Sequence, residues 1–207
     1  MFDAESKPAS AAAKILDAEG MDLLFREAHT YYAFRDEPVS HETLRTVYDL
    51  FKWGPTSANC CPLRVVFVTS REAKELLMPA LSAGNVEKTR GAPVTAVLAY
   101  DTKFAEHMPR LFPAVPNVAS WFADPQVAQR TAFLSSTLQA GYFILAARAC
   151  GLACGPMVGF DSEKLDAAFF PDGRFKSTLL LNLGYPAPGG HHPRSPRFAF
   201  DEVCVIK

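Results

Sequence analysis

The sequence lacks most of the features that announce a chemistry. It has no surplus of either charge, with 21 Lys and Arg against 22 Asp and Glu and a formal net charge of −1. No global field therefore draws in nucleic acid or an acidic membrane surface, and neither is expected as a partner. A long apolar run is also missing. The most hydrophobic stretch, Thr137 to Leu152, is broken by Gln139 and Arg148 and is shorter than the ~20 residues that cross a bilayer, so it predicts a buried helix. The five cysteines are an odd number without zinc-ribbon spacing and without a secretory leader before them. Reduced thiols in the cytoplasm are the expectation. There is no G-x-G-x-x-G after a strand, no Walker loop, no H-E-x-x-H and no G-x-S-x-G elbow. These absences disfavour a Rossmann dinucleotide site, a P-loop, a zincin and an α/β-hydrolase. The histidines (His29, His41, His107, His191 and His192) have no spacing to a carboxylate or thiol that suggests a metal, and none is expected.

What is present suits one globular domain. The 207 residues are 49% hydrophobic, enough for a sizeable core. Residues 1–20 predict a loose or partly helical lead-in, and residues 21–207 a single domain. Met21 to Ala28 reads as a short helix. Ser40 is a good N-cap for a helix whose apolar face is Leu44, Val47, Tyr48 and Phe51, stopped by Gly54 and Pro55. Arg64–Thr69, Pro93–Tyr100 and Ser177–Tyr185 read as strands, with Glu202–Ile206 a possible last one. Ser70 caps a further helix, Ala128–Cys150 is the long buried helix, and Ser162 caps a short helix over Glu163–Phe169. Residues 101–127 mix prolines with Phe104, Met108, Leu111, Phe112, Trp121 and Phe122, and predict a helical flap. Helices alternating with a few strands give an α/β or α+β fold with a sheet of four or five strands.

Four segments carry more polar and turn-forming groups than connection alone needs. They are His29–Phe34, Trp53–Pro62 (WGPTSANCCP), Cys154–Asp161 (CGPMVGFD) and Arg194–Arg197 (RSPR). Each by itself is also what an ordinary turn or loop looks like. Together and in this order, they resemble the nitroreductase family of FMN-dependent oxidoreductases. The strings that carry the resemblance are WGPTSANC, ALSAGNVEKT followed by APVTA, LFP with a later SWF, GPM-x-GFD, and KS-x-LLLNLGY followed by PRFAFDE. The chain is most similar to the branch that includes the malonic semialdehyde reductase of pyrimidine degradation.

The resemblance implies an α+β fold with a mixed four- to five-stranded sheet flanked by helices, in an interlocked homodimer. Two FMN sites form at its interface, and each tail crosses to the partner's sheet. The implied cofactor-binding residues are His29, Thr30, Tyr32, Pro55, Thr56, Ser57, Asn59, Pro156, Met157, Val158, Gly159, Arg194 and Arg197. The family's N-terminal Arg/Ser/Arg motif falls on Ala28, Thr30 and Tyr32, so both basic positions are lost; an Arg of the closer branch falls on His29. Arg194 and Arg197 match the C-terminal basic pair, whose guanidinium forks suit a phosphate. Asn59 offers a donor and an acceptor to the flavin, and Val158 and Gly159 offer backbone N–H groups to its N5 edge. Where the family often has Gln, this chain has Cys61.

The implied activity is hydride transfer from NADH or NADPH through flavin N5 to a small oxidised substrate, in a ping-pong cycle. Malonic semialdehyde, reduced to 3-hydroxypropanoate, or a nitro or quinone compound would be that substrate. The cofactor carries the hydride, so no catalytic side chain and no metal is implied. Phe112, Trp121 and Phe122 are candidates for covering the flavin, with core packing as the competing role. Arg64 is a candidate cation for a carboxylate substrate. Two other readings stay open: a non-catalytic flavin-binding protein, and a redox-sensing protein built on Cys60, Cys61 and Cys154.

Overall fold

In the computed structural model, which describes residues 14–207, everything is arranged about one four-stranded sheet. In chain order, the elements are α1 (Ala18–Met21), running on as a π-helical turn Asp22–Arg26, then α2 (His41–Phe51), β1 (Leu63–Val68), α3 (Arg71–Leu77) and α4 (Ala83–Arg90). Next come β2 (Val94–Asp101), α5 (Met108–Leu111), α6 (Pro125–Ala149), β3 (Ala153–Met157), α7 (Ser162–Phe169), β4 (Phe175–Gly184) and α8 (Phe200–Val203). Short 3-10 turns lie at Ser57–Asn59, Met78–Ala80, Phe104–His107 and Val118–Phe122.

The strands run in the order β1-β2-β4-β3, and every neighbouring pair is antiparallel. The parallel component expected of a mixed sheet is limited to one bridge, Thr30 to Cys154 beside β3. All eight residues of β2 are buried, as befits a central strand covered on both faces. Its side chains alternate between two cores. Val94, Ala96 and Leu98 pack with α2 and α6, whereas Val97 and Ala99 pack with α3 and α7. A third cluster, Phe104, Met108, Val118 and Phe122 against Ala132, makes the 101–127 excursion a small packed unit.

Local chemistry explains the helix starts. Ser40 Oγ accepts from Thr43 N (3.0 Å) and Ser70 Oγ from Ala73 N (3.1 Å), as expected of N-caps. At α7 the cap is Asp161, not Ser162: one carboxylate oxygen takes both Glu163 N and Lys164 N at 3.1 Å. The expected last strand, Glu202–Ile206, is not one. It begins as the helical turn α8, and Cys204 onward is extended but pairs with no strand among the described residues. The first half of Cys154–Asp161, which by itself looks like an ordinary turn or loop, belongs to β3. The expectation of a lead-in over residues 1–20 lies partly outside the described residues. No helix among those described is long and apolar enough to cross a membrane.

Candidate functional site

One corner of the molecule gathers cations around a cavity that no carboxylate lines. The segment Ala28–Tyr32 runs along β3, tied by Tyr31 N to Cys154 O (2.9 Å). The C-terminal loop lies over that segment, with Tyr32 N donating to Gly190 O (2.9 Å) and Tyr32 Oη to Gly189 O (2.9 Å). Arg194 Nη2 reaches back to the carbonyls of Arg26 (2.6 Å) and Ala28 (2.9 Å), fastening the two together. Between them is a cavity of about 510 Å3. Lys88 of α4, Arg148 of α6, Arg194 and Arg197 line it, together with His29, Thr30 and His192, and no carboxylate does. Among the described residues, none of these four cations is in an ion pair. Such a donor set has the chemistry of a phosphate receptor.

Glycine lets the corner close. A Cβ on Gly155 would stand 2.4 Å from the Tyr31 carbonyl oxygen, so only Gly allows residues 28–32 to pass this close to β3. Pro156 and Met157 continue β3 along the cavity wall. Val158 follows with its side chain in solvent, and Gly159 O accepts from Ser82 N (3.0 Å) and Asn85 Nδ2 (2.8 Å). The backbone N–H groups of Val158 and Gly159 donate to nothing among the described residues.

The loop after α2 is elsewhere. Ala58, Asn59 and Cys61 all have left-handed backbone, with φ of 46°, 53° and 40°. Asn tolerates this; Ala and Cys do so at a cost. The strained turn is held by Cys61 N donating to Thr56 Oγ1 (3.2 Å), Ser57 N to Ser135 Oγ (3.4 Å) and Asn59 Nδ2 to Leu111 O (2.7 Å). Pro55, Ser57 and Asn59 are exposed. Beside the loop, between α2 and the free edge of β1, is a cleft of about 860 Å3. Its floor is apolar (Leu44, Phe51, Val65 and Phe67), and Arg45, Arg64 and Arg110 are among its cations. Within one chain, then, the expected cofactor residues form two groups. His29, Thr30, Tyr32, Pro156, Met157, Arg194 and Arg197 meet at the corner, and Pro55, Thr56, Ser57 and Asn59 do not join them.

Three expected roles change. Arg64 is held by Asp101, Nη2 to Oδ2 at 2.8 Å, and so is not a free cation. Asp101 is fully buried and also takes both a 3.0 Å Nε and a 3.0 Å Nη2 contact from Arg174. Burial pushes its carboxyl up, but the Arg174 contacts, Lys103 N and Arg64 outweigh this and hold it below the usual carboxylate range. Phe122 is a core residue, edge-on to Phe104 at 4.9 Å, while Trp121 stays half in solvent with Phe112 beside it. Burial raises the Cys60 thiol and pushes Cys154 up to about 12, so neither supplies a thiolate near neutrality.

A family profile settles the resemblance: the nitroreductase family matches residues 25–185. The chain belongs to the nitroreductase family. A Ralstonia nicotianae relative, provisionally named an NADH dehydrogenase/NAD(P)H nitroreductase, is 52% identical over 192 residues, 92% of this chain and 98% of that one. Among solved structures, a nitroreductase-like protein of Exiguobacterium sibiricum in complex with FMN superposes with a TM-score of 0.82 at 17% identity, covering 94% of this chain and 100% of that one. An NAD(P)H:FMN oxidoreductase-like protein of Staphylococcus epidermidis gives 0.82 at 18% identity, covering 94% and 98%. At such identities these two establish the nitroreductase fold alone.

Lys88 and Arg148 are the site residues that sequence reasoning missed. Lys88 lay inside the resembling string ALSAGNVEKT without a role, and Arg148 was visible as the charge interrupting the apolar run 137–152. A cation in the last turn of a mainly apolar helix, just ahead of β3, is the signal that could have found it.

Proposed function

We propose that this nitroreductase-family chain is an FMN-dependent NAD(P)H oxidoreductase that acts as a homodimer in the cytoplasm. The observation that carries the reading is the acid-free cavity lined by Lys88, Arg148, Arg194 and Arg197. FMN, when bound, supplies hydride transfer between the nicotinamide and a second substrate. Arg194 and Arg197, with Lys88 and Arg148, would hold its phosphate, and the close approach allowed by Gly155 keeps their scaffold together. Val158 and Gly159 offer free backbone donors at the open end of β3. Ser57 and Asn59 would come from the partner subunit, since the loop that carries them lies apart from the corner.

The surface supports a second copy. Leu134, Leu138 and Tyr142 recur every four residues along α6 and are all exposed, as are Val203, Val205 and Ile206 of the tail. Exposed apolar rows of this kind mark an interface, and the edge of β1, which pairs with no further strand among the described residues, offers the tail a strand to join.

For the substrate we propose a small aldehyde with a carboxylate, malonic semialdehyde giving 3-hydroxypropanoate, with a proton drawn from solvent. Arg110, which lines the loop-side cleft and is in no ion pair among the described residues, replaces Arg64 as the candidate cation. Nitroaromatics and quinones are the competing acceptors.

Purified protein reconstituted with FMN should be yellow, and NADH or NADPH should bleach it without oxygen. Malonic semialdehyde should then restore the colour faster than nitro or quinone compounds. A colourless protein that cannot retain FMN overturns the reading. A yellow protein that neither nucleotide reduces leaves a non-catalytic flavin binder. Arg197→Ala should weaken FMN binding by about tenfold or more, the worth of one charge-assisted hydrogen bond.

A further inference from the structure

Two imidazoles face one another at the corner. The rings of His29 and His191 stack with 3.9 Å between centroids and 25° between planes. Tyr31 meets His191 edge-on at 5.1 Å, and His192 lies against Tyr32 at 4.6 Å. The pair is set by backbone, since Tyr31 bridges to His191 across the two segments. Both rings are half-buried.

The groups around His29 decide how it titrates. The C-terminal loop presents His191, His192, Arg194 and Arg197; α6 presents Arg148 and α4 presents Lys88. The N-terminal segment presents Tyr31, Tyr32 and Glu27, and β3 the buried thiol of Cys154. Glu27 is the single carboxylate lining these two adjoining cavities. Partial burial holds the His29 imidazole below its ordinary value, and His191 and Arg194 act in the same direction against Glu27. His29 is therefore mainly neutral near pH 7 in the free chain. Stacked imidazoles accommodate one proton, while two would repel. A phosphate entering among the cations reverses the field at the rings and favours the imidazolium.

We propose that His29, stacked on His191 at the wall of the cavity, takes up a proton from solvent when a phosphate monoester enters this corner, which makes the affinity for that anion depend on pH. The inference rests on the flavin reading, with FMN as the monoester. It gives the corner a titratable charge beside the permanent charges of Arg148, Arg194 and Arg197.

The test titrates flavin-free full-length protein with FMN, and separately with riboflavin, from pH 6.5 to 8.5. Binding is followed by flavin fluorescence, and proton uptake by calorimetry in buffers of different ionisation heat. The FMN dissociation constant should rise about tenfold across this window, equivalent to roughly half a proton taken up per molecule bound. The ligand's own second ionisation, near pH ~6, pushes the other way, so the sign is diagnostic. Riboflavin, lacking phosphate, should show no such dependence. His29→Gln should flatten the FMN profile, and His191→Gln should reduce its slope. FMN binding with constant affinity and no proton uptake overturns the inference while sparing the flavin reading. An unchanged slope in both variants also overturns it. No FMN binding at any pH overturns both.

Discussion

Gly155 is the residue on which the corner depends. With 2.4 Å from a built Cβ to Tyr31 O, an added methyl must push residues 28–32 off β3, and with them His29, Thr30 and the Arg194 strap. Gly155→Ala should therefore cost about 1–3 kcal/mol of stability, the usual range for overpacking, and should weaken FMN binding by more than that of a surface variant. Chemical denaturation and fluorescence titration measure the two effects; full FMN affinity in a destabilised variant would detach the corner from the cofactor. At this scale the sequence was partly legible. Pro55, Thr56 and Asn59 were singled out by the family resemblance, since their types alone are also those of an ordinary turn. The left-handed backbone at Ala58 and Cys61 was not, since nothing about Ala or Cys announces positive φ. The turn that holds it is fastened to Ser135 and Leu111, residues distant in the chain.

Among the elements, β2 ends in a buried charge. Asp101 is satisfied by Arg64 of β1, by Arg174 just before β4 and by Lys103 N, so it ties three parts of the sheet's end together. Asp101→Asn should cost about 2 kcal/mol at neutral pH, at the low side for a buried ion pair because both guanidiniums are partly in water. The pH dependence has a definite sign. Asp101 has a lowered folded value, so its contribution is present above the unfolded value near ~4 and is lost as pH falls through the folded one. Urea midpoints of wild type and Asp101→Asn should thus differ at pH 7 and converge below about pH 4. α2, with its helical apolar period, and β2, with its continuous apolar run, were legible in the sequence. β3 was not: Ala153–Met157 holds small residues and a proline, and it is a strand because β4 pairs with it. α4 was missed for a similar reason. Its sequence AGNVEKTR has little apolar pattern, and its end is fixed by buried Lys74 donating to the carbonyls of Arg90 and Ala92.

At the scale of the whole molecule, alternating helical and β-branched segments pointed to layers but left α/β and α+β both open, and the family resemblance implied α+β. Sequence could not show that the expected cofactor residues divide between two places, because distance along the chain says nothing of which cavity a loop faces. That division has a genetic consequence. In the proposed homodimer, Arg197→Ala would damage the corner and Asn59→Ala the loop, so each homodimer would be defective in both of its sites. In a mixed dimer, one site would inherit both lesions and the other neither. Co-expressing two inactive variants should then regenerate activity, up to about a quarter of the wild-type level if subunits assort at random. No recovery in verified mixed dimers would place both groups in one subunit's site. If the proposed sites are shared, the separation of Asn59 from Arg197 makes two broken copies of this chain together worth more than either alone.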